Sequence, residues 1–359
     1  MSNYIEYKDS VAFHPGYYIE EIVEDSGLTQ QDFAKRLDTT PKNLSKLING
    51  QQALSVDMAM KLSKMLGTSL QYWLNLQNAY DTVLAEMSSD ALLEEEVFVL
   101  KQIGYQYFRD WFHLPDLPRR LNEQVVEVRR FLGVASLTVL KNSDMAVSFR
   151  SATPDMDEKS VVKANALVQI AVNEACKADA PKFDKEKFRK AVDYALTQTT
   201  NHDGFYDLVK DEFLEAGVVF VILPNLKGSR INGATKKIGS SVMLMVNDRR
   251  LCAGSFWFTL LHEAGHVLNG DFGISFENEK GEAEAAADRF AEDKLIPPSS
   301  YEAFVSKRRF TLEAIKRFAS QINRDPGIVL GRLQNDGLVE YSNTSLASLK
   351  RKYKVVCEY

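Results

Sequence analysis

Cysteine is scarce in this chain: three among 359 residues, Cys176, Cys252 and Cys357, with no CxxC pair. A disulfide framework and a thiolate zinc knot are thereby excluded, and reduced thiols are expected. Long apolar runs are missing too. No stretch approaches the ~18 consecutive apolar residues of a membrane span. The opening MSNYIEYKDSVAF has no basic start followed by an apolar core, so no leader peptide is expected. Surplus positive charge is the third absence. With 44 Lys and Arg against 49 Asp and Glu the net charge is -5, which argues against indiscriminate nucleic-acid binding and leaves room for a focal basic patch. The expectation is a soluble cytoplasmic chain, and its 45% hydrophobic content supplies cores for two or three domains.

What is present begins at Pro15. Five pieces, PGYYIEEIVEDSG, LTQQDFAKRL, TPKNLSKLING, SVDMAMKLSKMLG and SLQYWLNLQNAYD, repeat apolar residues at three- and four-residue steps. Each reads as a short amphipathic helix with one face to bury. Between the second and third, Asp38-Thr39 marks a tight break, with Asp38 placed for a left-handed turn, Thr40 for an N-cap and Pro41 for the first helical position. That is helix-turn-helix punctuation. The second helix then presents Lys42, Asn43, Ser45, Lys46 and Asn49, which together with Thr40 can reach base edges and phosphates in a major groove, while Gln30 is placed to bond the DNA backbone. An ordinary helical hairpin with a polar outer face has the same spacing.

The stretch from Leu28 to Asp81, with HPG at 14 to 16 and the closing YWLNLQNAYD, resembles the XRE/Cro-type DNA-binding domain in the variant seen in HigA-type antitoxins. Asp38 departs from the glycine often found there. The resemblance implies a homodimer on a (pseudo)palindromic double-stranded operator.

Residues 81–134 read as a helical connector. Glu94 to Glu96 reads as a solvated face; Tyr105, Tyr107, Phe108, Trp111 and Phe112 read as core; LPDLP at 114–118 reads as a hinge, and MAVSFRSATPDMDEKS at 145–160 as a loop-like boundary.

The chemistry sits in AGSFWFTLLHEAGHVLNG. His262 and His266 stand four apart on one helical face, so two imidazoles can point at one ion, and Glu263 beside them can take a proton from water. Gly265 omits a side chain next to the pair, and Asn269-Gly270 ends the helix. Catalytic zinc sites keep three protein ligands and an open position. The other histidines, His14, His113 and His202, are remote in sequence, so a carboxylate is the natural third ligand. GEAEAAADRFAEDKLIPPSSY supplies one on a second helix: Glu284 could bind the ion while Asp288 accepts the other imidazole N–H. Glu282 is the rival ligand, and Glu282 and Glu292 also read as exposed solubilising acids.

HEAGH, followed by EAAADRFA from Glu284 to Ala291 and by KLIPPSSY, resembles the ImmA/IrrE family of zinc metallo-endopeptidases. Carried over by position, His262, His266 and Glu284 match the ligands of one Zn2+ per chain, Glu263 the general base and Asp288 a supporting acid. LEAGVVFVILPNLKGSRINGATKKIGSSVMLMVNDRR resembles the small sheet of that family, and Val218 to Leu223 and Ser241 to Val246 read as strands. The expected class is α+β and mostly helical. It comprises an all-α helix-turn-helix domain at 1–80, the connector, a zincin-like domain with a small sheet at 135–300, and a helical segment at 301–359.

In that last segment Phe318-Ala319, Ile322, Pro326 and Val329 echo Phe33-Ala34, Leu37, Pro41 and Leu44. Gly327, Ile328, Val329 and Leu330 replace the polar face that DNA reading needs, so a helical pair packed on the peptidase is expected rather than a second DNA reader. The closing LKRKYKVV reads as a basic surface or partner-facing tail. The functional expectation is a transcriptional regulator carrying a zinc-dependent endopeptidase that cuts a specific protein, a repressor or toxin-like partner, in a stress, phage or toxin-antitoxin response. The alternative is a HigA-type antitoxin or repressor whose zinc domain is a non-proteolytic sensor or partner-binding module.

Overall fold

Side-chain caps set the helix boundaries of the first unit in the computed structural model, which describes residues 3–142, 157–249, 252–276, 281–353 and 355. Residues 145–156 of the loop-like boundary, and Lys354 and Val356 of the basic tail, lie outside the described residues. The chain divides into two units, Met1–Glu95 and Glu96–Tyr359.

The first unit opens with an antiparallel hairpin of β1 (Tyr4–Tyr7) and β2 (Ser10–Phe13), turned at Lys8 with φ +53°. His14 then caps α1 (Pro15–Asp25): its Nδ1 accepts from the Gly16 N–H at 3.0 Å, and Pro15 starts the helix without an N–H to satisfy. A Cβ on Gly16 would stand 2.0 Å from the Leu47 carbonyl oxygen, so each residue of HPG has a distinct physical task. Thr29, Thr40 and Ser55 cap α2 (Gln30–Arg36), α3 (Pro41–Ile48) and α4 (Val56–Leu66) by accepting from Asp32, Asn43 and Met58. Between α2 and α3, Asp38 takes φ +52° and the Thr39 N–H donates to the Ala34 carbonyl, the left-handed break the spacing predicts. Phe33, Leu37, Leu44, Leu47, Leu62 and Trp73 close the core.

The fifth helix is not short. α5 (Leu70–Ile103) runs for 34 residues, because nothing between Thr68 and Ile103 is glycine or proline; Gly104, at φ +97°, ends it. The boundary expected at residue 80 therefore falls inside a helix. Glu96 corrects a second expectation. It is 1% exposed, its carboxylate accepting from the Leu137 N–H at 2.7 Å and pairing with Arg129 at 3.4 Å, while Glu94 and Glu95 face solvent.

In the second unit α6 (Tyr105–Phe112) and α7 (Leu121–Leu132) join through Phe108, Phe112 and Phe131. LPDLP lies between them and is no hinge between units. It is tied down by Tyr105 Oη donating to Pro115 O, Gln124 Nε2 donating to Leu117 O, and the Arg109–Asp116 pair. After α8 (Glu158–Lys177), α9 (Lys185–Thr197) and α10 (Phe205–Glu215) come β3 (Val218–Leu223), β4 (Ile231–Ile238), β5 (Ser241–Asn247), α11 (Ala253–Asn269), β6 (Gly273–Phe276) and α12 (Glu282–Leu295). The sheet order is β3-β5-β4-β6; β3 and β5 are parallel, and β4 is antiparallel to both neighbours. Val242, Leu244 and Val246 join Trp257, Leu260, Leu261 and Ala264 of α11 in one core. Helix α8 packs on β3, β4 and β5 away from that cluster. Both faces are covered, which explains the continuous apolar runs of β3 and β5.

Helices α13 (Pro298–Val305), α14 (Leu312–Gln321) and α15 (Pro326–Asn335) share the core of α11 rather than forming a separate segment. The turn between α14 and α15 repeats that between α2 and α3: Asn323 at φ +53° matches Asp38, Arg324 N–H to Ala319 O matches Thr39 N–H to Ala34 O, and Asp325-Pro326 matches Thr40-Pro41. Yet Ile328, Val329, Leu330 and Leu333 are buried, and a Cβ on Gly254 of α11 would meet the Gly327 carbonyl oxygen at 2.4 Å. The motif is spent on packing. His202 links Asp325, at 3.3 Å, with the Tyr353 hydroxyl, at 3.0 Å, which Trp257 of α11 also reaches, at 3.3 Å.

Burial holds His14 below its ordinary value, and its cap needs an unprotonated Nδ1. The stabilisation is therefore present above the unfolded value near 6.5 and is lost as pH falls through the lower folded value. His14→Ala should cost the first unit about 1 kcal/mol at pH 7. The difference from wild type in chemical denaturation should shrink at acid pH; an undiminished difference there would contradict the cap.

Candidate functional site

Helix α11 carries its polar residues inside a core. Its N-terminal half is anchored by Trp257, Leu260 and Leu261, and its end is set by Gly270 at φ +80°. One turn apart, the Nε2 atoms of His262 and His266 face each other at 3.0 Å. From α12, Glu284 places Oε2 at 3.1 Å from His262 Nε2 and Oε1 at 3.3 Å from His266 Nε2. The three groups form a cluster whose ligand-type atoms lie within 4.8 Å of one another. His266 is fully buried, and His262 and Glu284 are 8% and 7% exposed. Asp288, half exposed one turn along α12, meets His262 Nδ1 at 2.9 Å. Phe258 packs beside the His262 ring.

Gly265 explains how α12 comes so close: a Cβ there would touch the Phe290 ring at 3.0 Å and Ala287 Cα at 3.4 Å. Glu263 is fully buried on a different flank of α11, against Gly233 of β4. Glu282 is exposed at the start of α12 and outside the cluster. Glu292 is no solvated acid: it is half-buried, pairs with Arg332 at 2.9 Å, and burial pushes its carboxyl up.

Burial opposes a charge on His262, but hydrogen bonds with Asp288 and Glu284 outweigh it and hold the imidazole up to about 10. Burial would likewise raise Glu284, yet the two histidines hold it well below the usual carboxylate range. Two imidazole nitrogens and a carboxylate converging in a buried space suit a divalent cation. Donors about 2.1 Å from a tetrahedral ion stand roughly 3.4 Å apart, close to the 3.0 to 3.3 Å seen here. Cation binding competes with the imidazole proton.

In the first unit the expected nucleic-acid face lies on α3. Lys42, Asn43 and Lys46 are exposed, Ser45 is half-buried, and Gln30 is half-buried at the start of α2. Two expected contact groups are engaged locally. Thr40 Oγ1 accepts from the Asn43 N–H at 3.1 Å, and Asn49 Nδ2 donates to the Ser45 carbonyl at 2.7 Å. Lys61 of α4 was not anticipated. It pairs with Asp57 one helical turn back, and it binds the Asp38 carbonyl at 2.8 Å and pairs with the Asp38 carboxylate beside the turn, a contact across 23 residues that no local pattern reveals. Gly233 was also missed, although a glycine inside a strand does signal a bulge or a close approach.

The helix-turn-helix family profile, HTH_3, matches residues 19–73. The chain is similar to an uncharacterised HTH-type transcriptional regulator, YddM, of Escherichia coli strain K12: 40% identical over 76 residues, which are 21% of this chain and 81% of that protein. It is similar to antitoxin HigA-1 of Vibrio cholerae, 36% identical over 61 residues, 17% of this chain and 57% of that one. The structure of an addiction module antidote protein of a HigA family from Coxiella burnetii has 32% identity, covers 23% of this chain and 91% of its own, and has a TM-score of 0.22. With α1 to α4 and the start of α5 folded around one core over the matched residues, the chain belongs to the XRE-type helix-turn-helix family, HTH_3, of transcriptional regulators.

Proposed function

We propose that the chain is an operator-binding regulator, dimeric on DNA, whose second unit is a zinc-dependent endopeptidase of the ImmA/IrrE type with a zincin-like fold. The observation that carries the enzymatic part is the meeting of His262, His266 and Glu284 from two helices in one buried cluster. A divalent cation would give these three buried groups one common partner. His262, His266 and Glu284 hold the ion, and Asp288 fixes the tautomer of His262 by accepting its Nδ1 proton. When bound, zinc supplies Lewis acidity toward a scissile carbonyl and toward water. The Glu263 carboxylate takes a proton from the attacking water and delivers one to the departing amine nitrogen. The substrate is a partner protein of repressor or toxin type.

A second reading keeps the DNA-binding unit and drops the hydrolysis: a HigA-type antitoxin whose second unit senses a cation or holds a toxin. The similarity to antitoxin HigA-1 favours it. Glu263 separates the two, because only proteolysis needs its carboxylate.

The purified chain should carry one zinc by elemental analysis. Glu263→Gln should keep the metal and lose defined cleavage of proteins co-expressed from neighbouring genes; full cleavage by that variant would refute the base. Asp288→Asn should weaken zinc binding by about 10–100-fold in chelator competition, and an unchanged affinity would remove Asp288 from the site. For the DNA unit, joint replacement of Lys42, Asn43 and Lys46 by Ala should eliminate specific operator footprints, and retained footprints would count against α3 as the reading helix.

A further inference from the structure

We propose that Gly233 is a positioning residue for Glu263: strand β4 omits a side chain where the carboxyl lies, so that its backbone sets where the proton-accepting oxygens stand. A Cβ on Gly233 would stand 2.5 Å from Glu263 Oε1 and 2.6 Å from both its Cδ and Cγ. The backbone at Gly233 lies outside the left-handed region, so conformation does not demand glycine there. Space alone does.

Three contacts prevent the parts from moving aside. On one side, Gly233 pairs in register with Val246 of the central strand β5, a core residue. On the other, the β4–β6 ladder changes register between Ile231, paired with Phe276, and Gly233, paired with Ser275, leaving Asn232 as an extra residue. Such bulges bend a strand and are frequent beside functional sites. Helix α11 cannot back away either, since it is packed on α12 so closely that even a Cβ on Gly265 would stand 3.0 Å from the Phe290 ring and 3.4 Å from Ala287 Cα. A side chain at 233 must therefore displace the Glu263 carboxyl relative to His262, His266 and Glu284. The functional meaning of this contact rests on the proposed metal centre; the contact itself does not.

The test uses the full chain and cobalt(II), whose visible spectrum reports its surroundings, in wild type, Gly233→Ala, Glu263→Ala and the double variant. All four should bind one cobalt per chain, because none of the three proposed ligands changes. Gly233→Ala should alter the spectrum in the same sense as Glu263→Ala, and the double variant should go no further than Glu263→Ala alone. Without metal, Gly233→Ala should lower the thermal midpoint by about 3–10 °C in the wild-type background, and by little once Glu263→Ala has vacated the space. A Gly233→Ala spectrum superimposable on wild type with one cobalt bound would overturn the positioning role and leave the metal centre standing. No cobalt in wild type would overturn the metal centre, while the metal-free midpoints still report the contact. If Gly233→Ala fails to fold, recovery in the double variant supports the clash with Glu263, and no recovery overturns it.

Discussion

Everything in the second unit turns on one constraint: a buried helix must carry two histidines and a glutamate and still pack on all sides. Helix α11 meets it by giving each flank its own neighbour. Trp257, Leu260 and Leu261 face the sheet core, the two imidazoles face α12, Glu263 lies on β4 at Gly233, and Gly254 lets the α15 backbone touch the helix start. Glycine recurs at these contacts because close approach of backbone to a neighbour leaves no room for Cβ. The two imidazoles are gathered on one flank, where Glu284 and Asp288 pair with them, and this keeps their burial tolerable.

The two helix-turn-helix geometries show how one supersecondary unit takes opposite fates. Both have a left-handed residue in the turn, the same backbone bond across it, and proline at the start of the second helix. On α3 the positions after proline are Lys42 and Asn43; on α15 they are Gly327 and Ile328. The first pair leaves the helix free for a groove, and the second sinks it against α11. Turn chemistry sets the local path, and the outer face decides whether that path is exposed.

Much of this was legible in the sequence because the signals were local. Asp38, Thr40-Pro41 and the HPG triplet act within a turn of themselves, and the spacing of His262 with His266 is a property of one helix. The pairing of Glu284 and Asp288 with those histidines was expected from the resemblance and from helical periodicity, and in the structure both acids lie within hydrogen-bonding distance of His262. What escaped was nonlocal. Glu96 looks like part of a solvated run until Leu137 and Arg129 arrive. Helix α5 carries no punctuation at residue 80. Strands β4 and β6 and the hairpin of β1 and β2 are short or polar, and pairing rather than propensity makes them strands.

The most direct examination of the proposed metal centre is X-ray absorption at the zinc edge of the purified full chain. Two imidazole nitrogens about 2.0–2.1 Å from zinc, completed by oxygen donors and without sulfur, are the expected first shell. Absence of zinc from carefully prepared protein, or a shell containing sulfur or a single imidazole, would contradict the convergence of His262, His266 and Glu284 on one ion.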